Sequence, residues 1–403
     1  MQFTLTLGAN ASAECAAAAL PAYSGMRVMS IYDNRSATPR EYIYPEYLLP
    51  WSVASVDSVC PGGWGYMSAV CWYTYRGVYE ALGVPMGLIS NSFGGSRIEE
   101  WSSPEALAEC PAIVPPPPGQ GSIWASYIWN VMMTPFTIGP MGVRTAIWYQ
   151  GEANIANGFS TEAPAWYECA SQALVRDWRR KLPSLSTFGA FQLGGCAAPC
   201  YPGLVNVSDT RQAQQAPLGR VAKFAFATAI DQANFSDPSN IHFPTKQPVS
   251  ARMTRQLLAI EYGLEPDGQP AEVPLFAGAE QVAGGPPARL VVEVSLSGCG
   301  AACALVAAAC PVADAAQCAD FAVLVNGSGW LRAAPSVLAD GRTLALAVDL
   351  GAAGPATALA TAYGRANWPL VVLYADGGKG LPVLPWCLTL GLAVNVPCYS
   401  AGV

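Results

Sequence analysis

Phe224-Ala-Phe-Ala-Thr-Ala-Ile-Asp-Gln-Ala-Asn-Phe-Ser-Asp-Pro-Ser-Asn-Ile-His-Phe-Pro-Thr-Lys246 is the stretch on which the reading of this chain turns. An apolar run suited to a buried strand breaks at Asp231 into a polar loop, and the loop ends on His242, the only histidine in 403 residues. A buried strand feeding a polar loop is how an open α/β sheet presents its site, beyond the carboxyl ends of its strands. With no second imidazole, a general base working near neutral pH is His242 or a group whose pKa is shifted. Taken alone, the loop reads first as carrying a lone packing or surface histidine.

The segments around this stretch alternate. An alanine-rich helix within residues 2–20 precedes a strand at Met26–Ile31, and a helix over Tyr66–Leu82 precedes a strand at Pro85–Asn91. A helix near Trp124–Met133 is followed by a strand at Arg144–Tyr149, an amphipathic helix at Ala165–Lys181 and a strand at Thr187–Leu193. A short helix around Thr210–Ala216, the strand Val221–Ile230 and a helix at Gln247–Tyr262 complete the series. The pattern predicts an open parallel α/β sheet of three layers, with helices on both faces. Near Gly263 the character changes to turns and alternating runs such as Ala288–Leu296 and Thr343–Leu350, which predicts domains at 1–262 and 263–403, the second smaller and β-rich. Pro115–Pro118 reads as a stiff surface loop.

Composition narrows the function. Charged residues make up 12% of the chain and the net charge is −7, so there is no basic footprint for nucleic acid. The uncharged runs Val294–Ala313 and Leu381–Val403 are interrupted by Gly and Pro, which argues against a membrane span. Thirteen cysteines without metal-knuckle spacing suggest disulfides and a secretory compartment, secreted or lysosomal, with one thiol free or one partner missing. Neither a metal nor a cofactor is expected. Met1-Gln-Phe lacks the features of a signal peptide, in conflict with the cysteines.

Three polar clusters follow predicted strands. Asn91-Ser-Phe-Gly-Gly-Ser-Arg97 offers bare backbone N–H groups at Gly94 and Gly95 for a developing oxyanion, or simply a tight turn. Trp148-Tyr-Gln-Gly-Glu-Ala-Asn154 places Gln150, Glu152 and Asn154 at one strand end, and Glu152 is an apt partner for a histidine. The third is the loop itself, where Asp231 and Asp237 precede His242. Arg97 is a candidate sugar contact, with Glu99 or Glu100 as alternative ion-pair partners. Together the clusters suggest acyl transfer by nucleophile, histidine and acid.

At these residues the chain resembles the sialate O-acetylesterases of the SGNH-hydrolase superfamily. The matching segments are Gly87-Leu-Ile-Ser-Asn-Ser-Phe-Gly-Gly95 with Ile98-Glu99 and Trp101-Ser-Ser, then Trp148–Asn154, then Ile241-His242 with Lys246. The resemblance implies a carbohydrate esterase acting on an O-acetylated sugar. His242 would be the base, Glu152 the acid with Asp237 as second candidate, and Gly94, Gly95 and Gln150 the oxyanion donors; Asn91, Arg97 and Asn154 are candidate substrate contacts. Many relatives carry an aspartate two residues before the histidine, where this chain has Asn240. The family's nucleophile lies in a Gly-Gln-Ser-Asn-Met-Gln segment that Met1-Gln2 matches only from its methionine onward. The expectation is therefore a chain without its first strand and serine. Ser90-Asn-Ser-Phe-Gly94 lacks the Gly-x-Ser-x-Gly elbow that would supply a substitute. The alternatives are a sugar-binding protein that lost the nucleophile, and an acetylxylan-type esterase.

Overall fold

The computed structural model describes residues 2–43, 47–110, 124–139, 141–155, 163–197, 200, 207–265, 273–283, 289–298, 304–309, 320–351, 356–370, 372–376 and 380–390. Pro115–Pro118 lies outside them. Up to residue 262 the chain alternates helix and strand, as the hydrophobic spacing predicts. The strands are β1 (Met26–Ile31), β2 (Tyr47–Val53), β3 (Met86–Ser90), β4 (Thr145–Trp148), β5 (Thr187–Phe191) and β6 (Phe224–Ala227).

Among the described residues these strands form two three-stranded sheets, β2-β1-β3 and β4-β5-β6. The second is wholly parallel. All of β5 and β6 is buried, with the rings of Phe188, Phe224 and Phe226 stacked, so both strands read as continuous apolar runs. The helix Ala163–Lys181 packs Leu174, Val175 and Trp178 against one face, and Val249, Met253 and Leu257 of the helix Gln247–Tyr262 belong to the core on the other. That helix has the boundaries expected from the sequence, because Pro248 suits its first turn and Gly263 closes it at φ +66°.

In the first sheet β1 and β3 are parallel and β2 runs antiparallel at the edge. The sequence gives no clear sign of β2, because Pro50 interrupts it. The β1–β2 register shifts between Val28 and Ile31, opposite Pro50, and a proline is tolerated at such an edge irregularity. Near Trp124 the expected helix takes the form of a π-helical turn, Trp129–Met133, running into Thr134–Ile138.

The two sheets do not pair with each other among the described residues. A groove of about 530 Å³ lies between β3 and β4, lined by Met86, Leu88, Ile89, Phe136, Ala146 and Trp148 among others. Both facing edges therefore offer backbone N–H and C=O groups, and an apolar wall, to an extended segment.

From Leu275 onward the described elements are strands. β7 (Leu275–Gln281), β8 (Arg289–Ser297), β12 (Ala334–Val337) and β13 (Thr343–Asp349) form one four-stranded sheet. β10 (Phe321–Val325), β11 (Gly329–Arg332), β14 (Ala358–Tyr363) and β16 (Trp386–Thr389) form another, and β9 (Val306–Ala307) pairs with β15 (Leu373–Tyr374). All these pairings are antiparallel. This unit packs around its own core of Val292, Val294, Val323, Leu344, Leu346, Tyr363 and Trp386.

It also holds the α/β part in place. The buried Arg211, on the helix Val207–Gln214, donates to the carbonyls of Gly364, Ala366, Asn367 and Gly194, while Arg365 pairs with Asp209. Tyr374 and Arg252 both bond Asp231, at the end of β6. Disulfides join Cys15–Cys60, Cys110–Cys169 and Cys196–Cys200, and Cys71 is a buried free thiol that burial pushes up to about 12. No helix among the described residues is long and apolar enough to cross a membrane.

Candidate active site

The carboxyl ends of β3, β4 and β6 converge. Gln150, just past β4, donates through Nε2 to the carbonyl of Ser96 in the turn after β3, at 3.1 Å, bridging the two sheets above the groove. After β6, Asp231 receives a bidentate pair from Arg252 at 2.7 and 2.6 Å, which anchors the loop running on to His242. The backbone N–H groups of Gly195 and Ala197 bond Gln232 O and Pro238 O, so the loop is also sewn to the segment after β5.

His242 lies at the end of this loop, partly buried. Its Nδ1 is 3.0 Å from Asn240 Oδ1, which also accepts from the His242 backbone N–H at 2.9 Å. An amide oxygen can only accept, so Nδ1 carries the proton and Nε2 keeps its lone pair, the tautomer a general base needs. Asn240 thus fixes the ring without a charge. Burial lowers the His242 pKa; Glu152 acts against that shift and Lys246 with it.

Glu152 opens a single 3₁₀ turn, Glu152–Asn154, after Gly151, whose φ of 148° favours glycine. Its carboxylate acts electrostatically on His242, Lys246, Tyr149 and Tyr167. Asp237, the other candidate acid, is exposed; its Oδ1 accepts from Ser239, and its backbone N–H bonds Asn234.

Gly94 and Gly95 are exposed in the turn after β3. The Gly94 N–H donates to Gln2 Oε1 at 2.6 Å, so an oxygen already occupies the point at which this donor is aimed. A Cβ on Gly94 would lie 2.4 Å from that oxygen, and Gly95 needs glycine at φ +71°. Gln2 also donates through Nε2 to Asp33, just past the carboxyl end of β1. Asp33 is not among the candidates expected from the sequence, although its position beyond a parallel strand is a signal for it. Burial raises its pKa.

Of the remaining candidates, Gln150 and Asn154 are buried and Asn91 and Arg97 partly so. Gln150 gives its other amide hydrogen to Asn154 Oδ1 at 2.7 Å and accepts from Tyr167 at 3.0 Å. Asn154 accepts from Ile98 N and donates to Glu99. Asn91 donates to Met132 O at 2.8 Å. Arg97 begins the turn Ile98–Trp101, its N–H bonding Glu100, while the ion pair to Glu100 comes from Arg35. Ser96 is occupied by Phe93 O and Trp101 Nε1, and Ser92 is buried, so neither is exposed as a nucleophile.

Gln150, Glu152, the loop to His242 and the glycine turn thus all follow the carboxyl ends of strands in an open α/β fold. A solved carbohydrate acetylesterase from Xanthomonas citri shares the fold, with a TM-score of 0.74 and 22% identity, covering 96% of this chain and 78% of that one. No family model matches the sequence. The human sialate O-acetylesterase is 30% identical over 286 residues, 65% of this chain and 52% of that protein; the Pongo abelii protein gives the same figures. The rat sialate O-acetylesterase is 31% identical over 311 residues, covering 65% and 55%. The chain is thus similar to sialate O-acetylesterases over 65% of its own length, and it spans about half the length of the curated relatives it matches.

Proposed function

We propose that the chain carries the acid–base and oxyanion parts of a carbohydrate esterase that removes O-acetyl groups from sialic acids or related sugars through a serine acyl-enzyme. The nucleophilic serine is supplied by a strand seated in the groove between β3 and β4, and residues 1–403 are inactive without it. The groove is the observation that carries this reading: it is largely apolar, bordered by two sheet edges that are unpaired among the described residues, and lined at one end by Ser96 and Gln150 of the turns after β3 and β4. A strand seated there, parallel to its neighbours, ends at the gathered polar groups.

In the completed site His242 Nε2 takes the serine proton as Oγ attacks the acetyl carbonyl. Asn240 holds the tautomer and Glu152 stabilises the imidazolium. The carbonyl oxygen, as it gains charge, takes the place of Gln2 Oε1 on Gly94 N–H, with Gly95 N–H beside it. Gln150 serves as a further donor by releasing Ser96 O or Asn154 Oδ1. His242 then protonates the departing sugar hydroxyl, and water, activated by the same imidazole, releases acetate. Exposed Asp237 is the weaker candidate acid. Arg97, Asn91 and Asn154 shape the sugar side, and residues 263–403 act as an accessory domain that holds the His242 loop.

Reading the genomic frame ahead of Met1 tests the missing strand: an apolar strand ending in Gly-Gln-Ser-Asn supports the proposal, and a stop codon with transcripts starting at Met1 counts against it. Comparing O-acetylated sialic acid with acetylated xylan as substrates decides the sugar class.

A further inference from the structure

Lys246 stands where its charge is penalised twice. It caps the amino end of the helix Gln247–Tyr262, where the helix dipole disfavours a cation, and only 3% of it is exposed. No carboxylate among the described residues forms an ion pair with it. Instead its Nζ lies 3.5 Å from the ring centre of Phe243, 4.9 Å from Phe3 and 5.0 Å from Tyr149. These rings come from three parts of the chain: the residue after His242, the segment that carries Gln2, and the end of β4 beside Gln150. Aromatic faces attract a desolvated cation, so a single ammonium gathers the pieces of the site.

We propose that Lys246 is a positioning residue of the His242 centre: from its three-ring cage it pins the His242 loop to the end of β4 and keeps a second ionisable group within electrostatic reach of the imidazole. This rests on the reading of His242 as the base. A neutral apolar residue would fill the cage as well, so packing alone does not explain a lysine here. Among the described residues the charged groups acting on His242 are Lys246, which disfavours the imidazolium, and Glu152, which favours it. Burial holds Lys246 down to about 7, with Glu152 opposing that shift, while burial and Glu152 keep the Tyr149 hydroxyl protonated. Lys246 therefore gains or loses its charge in the range where an esterase base works.

The single histidine makes the test direct and independent of any ester. Histidine-labelled protein, residues 1–403, gives one imidazole signal to follow by NMR against pH. The parent should titrate below the ordinary histidine range and show a second inflection near pH 7, as Lys246 loses its proton. Lys246→Met should remove that inflection and move the imidazole midpoint to higher pH. Lys246→Arg, which stays charged, should keep the midpoint low without the inflection, and Glu152→Gln should move it lower still. A purely structural lysine would change the melting temperature and leave the midpoint in place. An equal midpoint in the parent and Lys246→Met overturns the proposal. So does a parent curve without the second inflection, a reading that needs no variant to fold.

Discussion

The two three-stranded sheets facing each other across the groove divide the work of the site unequally. The sheet β4-β5-β6 is parallel, and its carboxyl ends carry Gln150, Glu152 and the loop to His242. The sheet β2-β1-β3 has an antiparallel, proline-interrupted edge, and it carries Asp33 and the glycine turn. Under the proposed function, one sheet supplies proton transfer from side chains and the other offers backbone N–H groups to an anion. On that reading a side-chain base is oriented by neighbours, here Asn240 and, by the inference above, Lys246, whereas a backbone donor needs only a turn that fixes its direction.

The largest expected effect lies on the side-chain half. In the protein with the serine-bearing strand seated, His242→Ala should lower acetate release by about 10²–10⁴-fold; near-normal turnover would remove His242 from the mechanism. Next is the anchor of its loop. Arg252 and Asp231 are each 8% exposed in their side chains and bonded at 2.6 Å, so Asp231→Ala leaves a buried guanidinium unpaired. Chemical denaturation should show a loss of about 3–5 kcal/mol. On the backbone half, Gly94→Ala puts a methyl group where the oxyanion sits and should cost about 10²–10³-fold in kcat at little cost in stability. Equal activity would move the oxyanion donors elsewhere.

The smallest effect concerns pH. Because burial lowers the folded-state pKa of His242, the base stays neutral into mild acid, and the acid limb of kcat/KM should fall below the ordinary value of 6.5. The sign for stability is the same: between the unfolded and folded values the unfolded chain binds more protons, so the His242 contribution is lost as pH falls below 6.5. Asn240→Asp places a carboxylate 3.0 Å from Nδ1 and should carry the limb to higher pH.

These halves also differ in how far they could be read from the sequence. β5 and β6 are legible because a buried parallel strand must be apolar throughout, and the helix Gln247–Tyr262 is legible because Pro248 and Gly263 mark its ends. β2 escaped because its pairing depends on an irregularity opposite Pro50, which only the fold reveals. The candidate site follows the same rule. His242, Gly94 and Glu152 stand out by rarity, turn chemistry or position after a strand. Asp33 meets Gln2 from 31 positions away, and the cage around Lys246 draws on Phe3, Tyr149 and Phe243; such long-range pairings leave no local pattern.

The groove between the two halves is where one measurement bears most directly on the whole. An apolar strand ending in Gly-Gln-Ser-Asn, fused ahead of residue 1, should seat between β3 and β4, raise the melting temperature and release acetate from O-acetylated sialic acid. The same fusion with that serine changed to alanine should keep the stability gain and release none. Equal release from both fusions, or no gain in stability from either, would contradict a shared site completed by a strand in the groove.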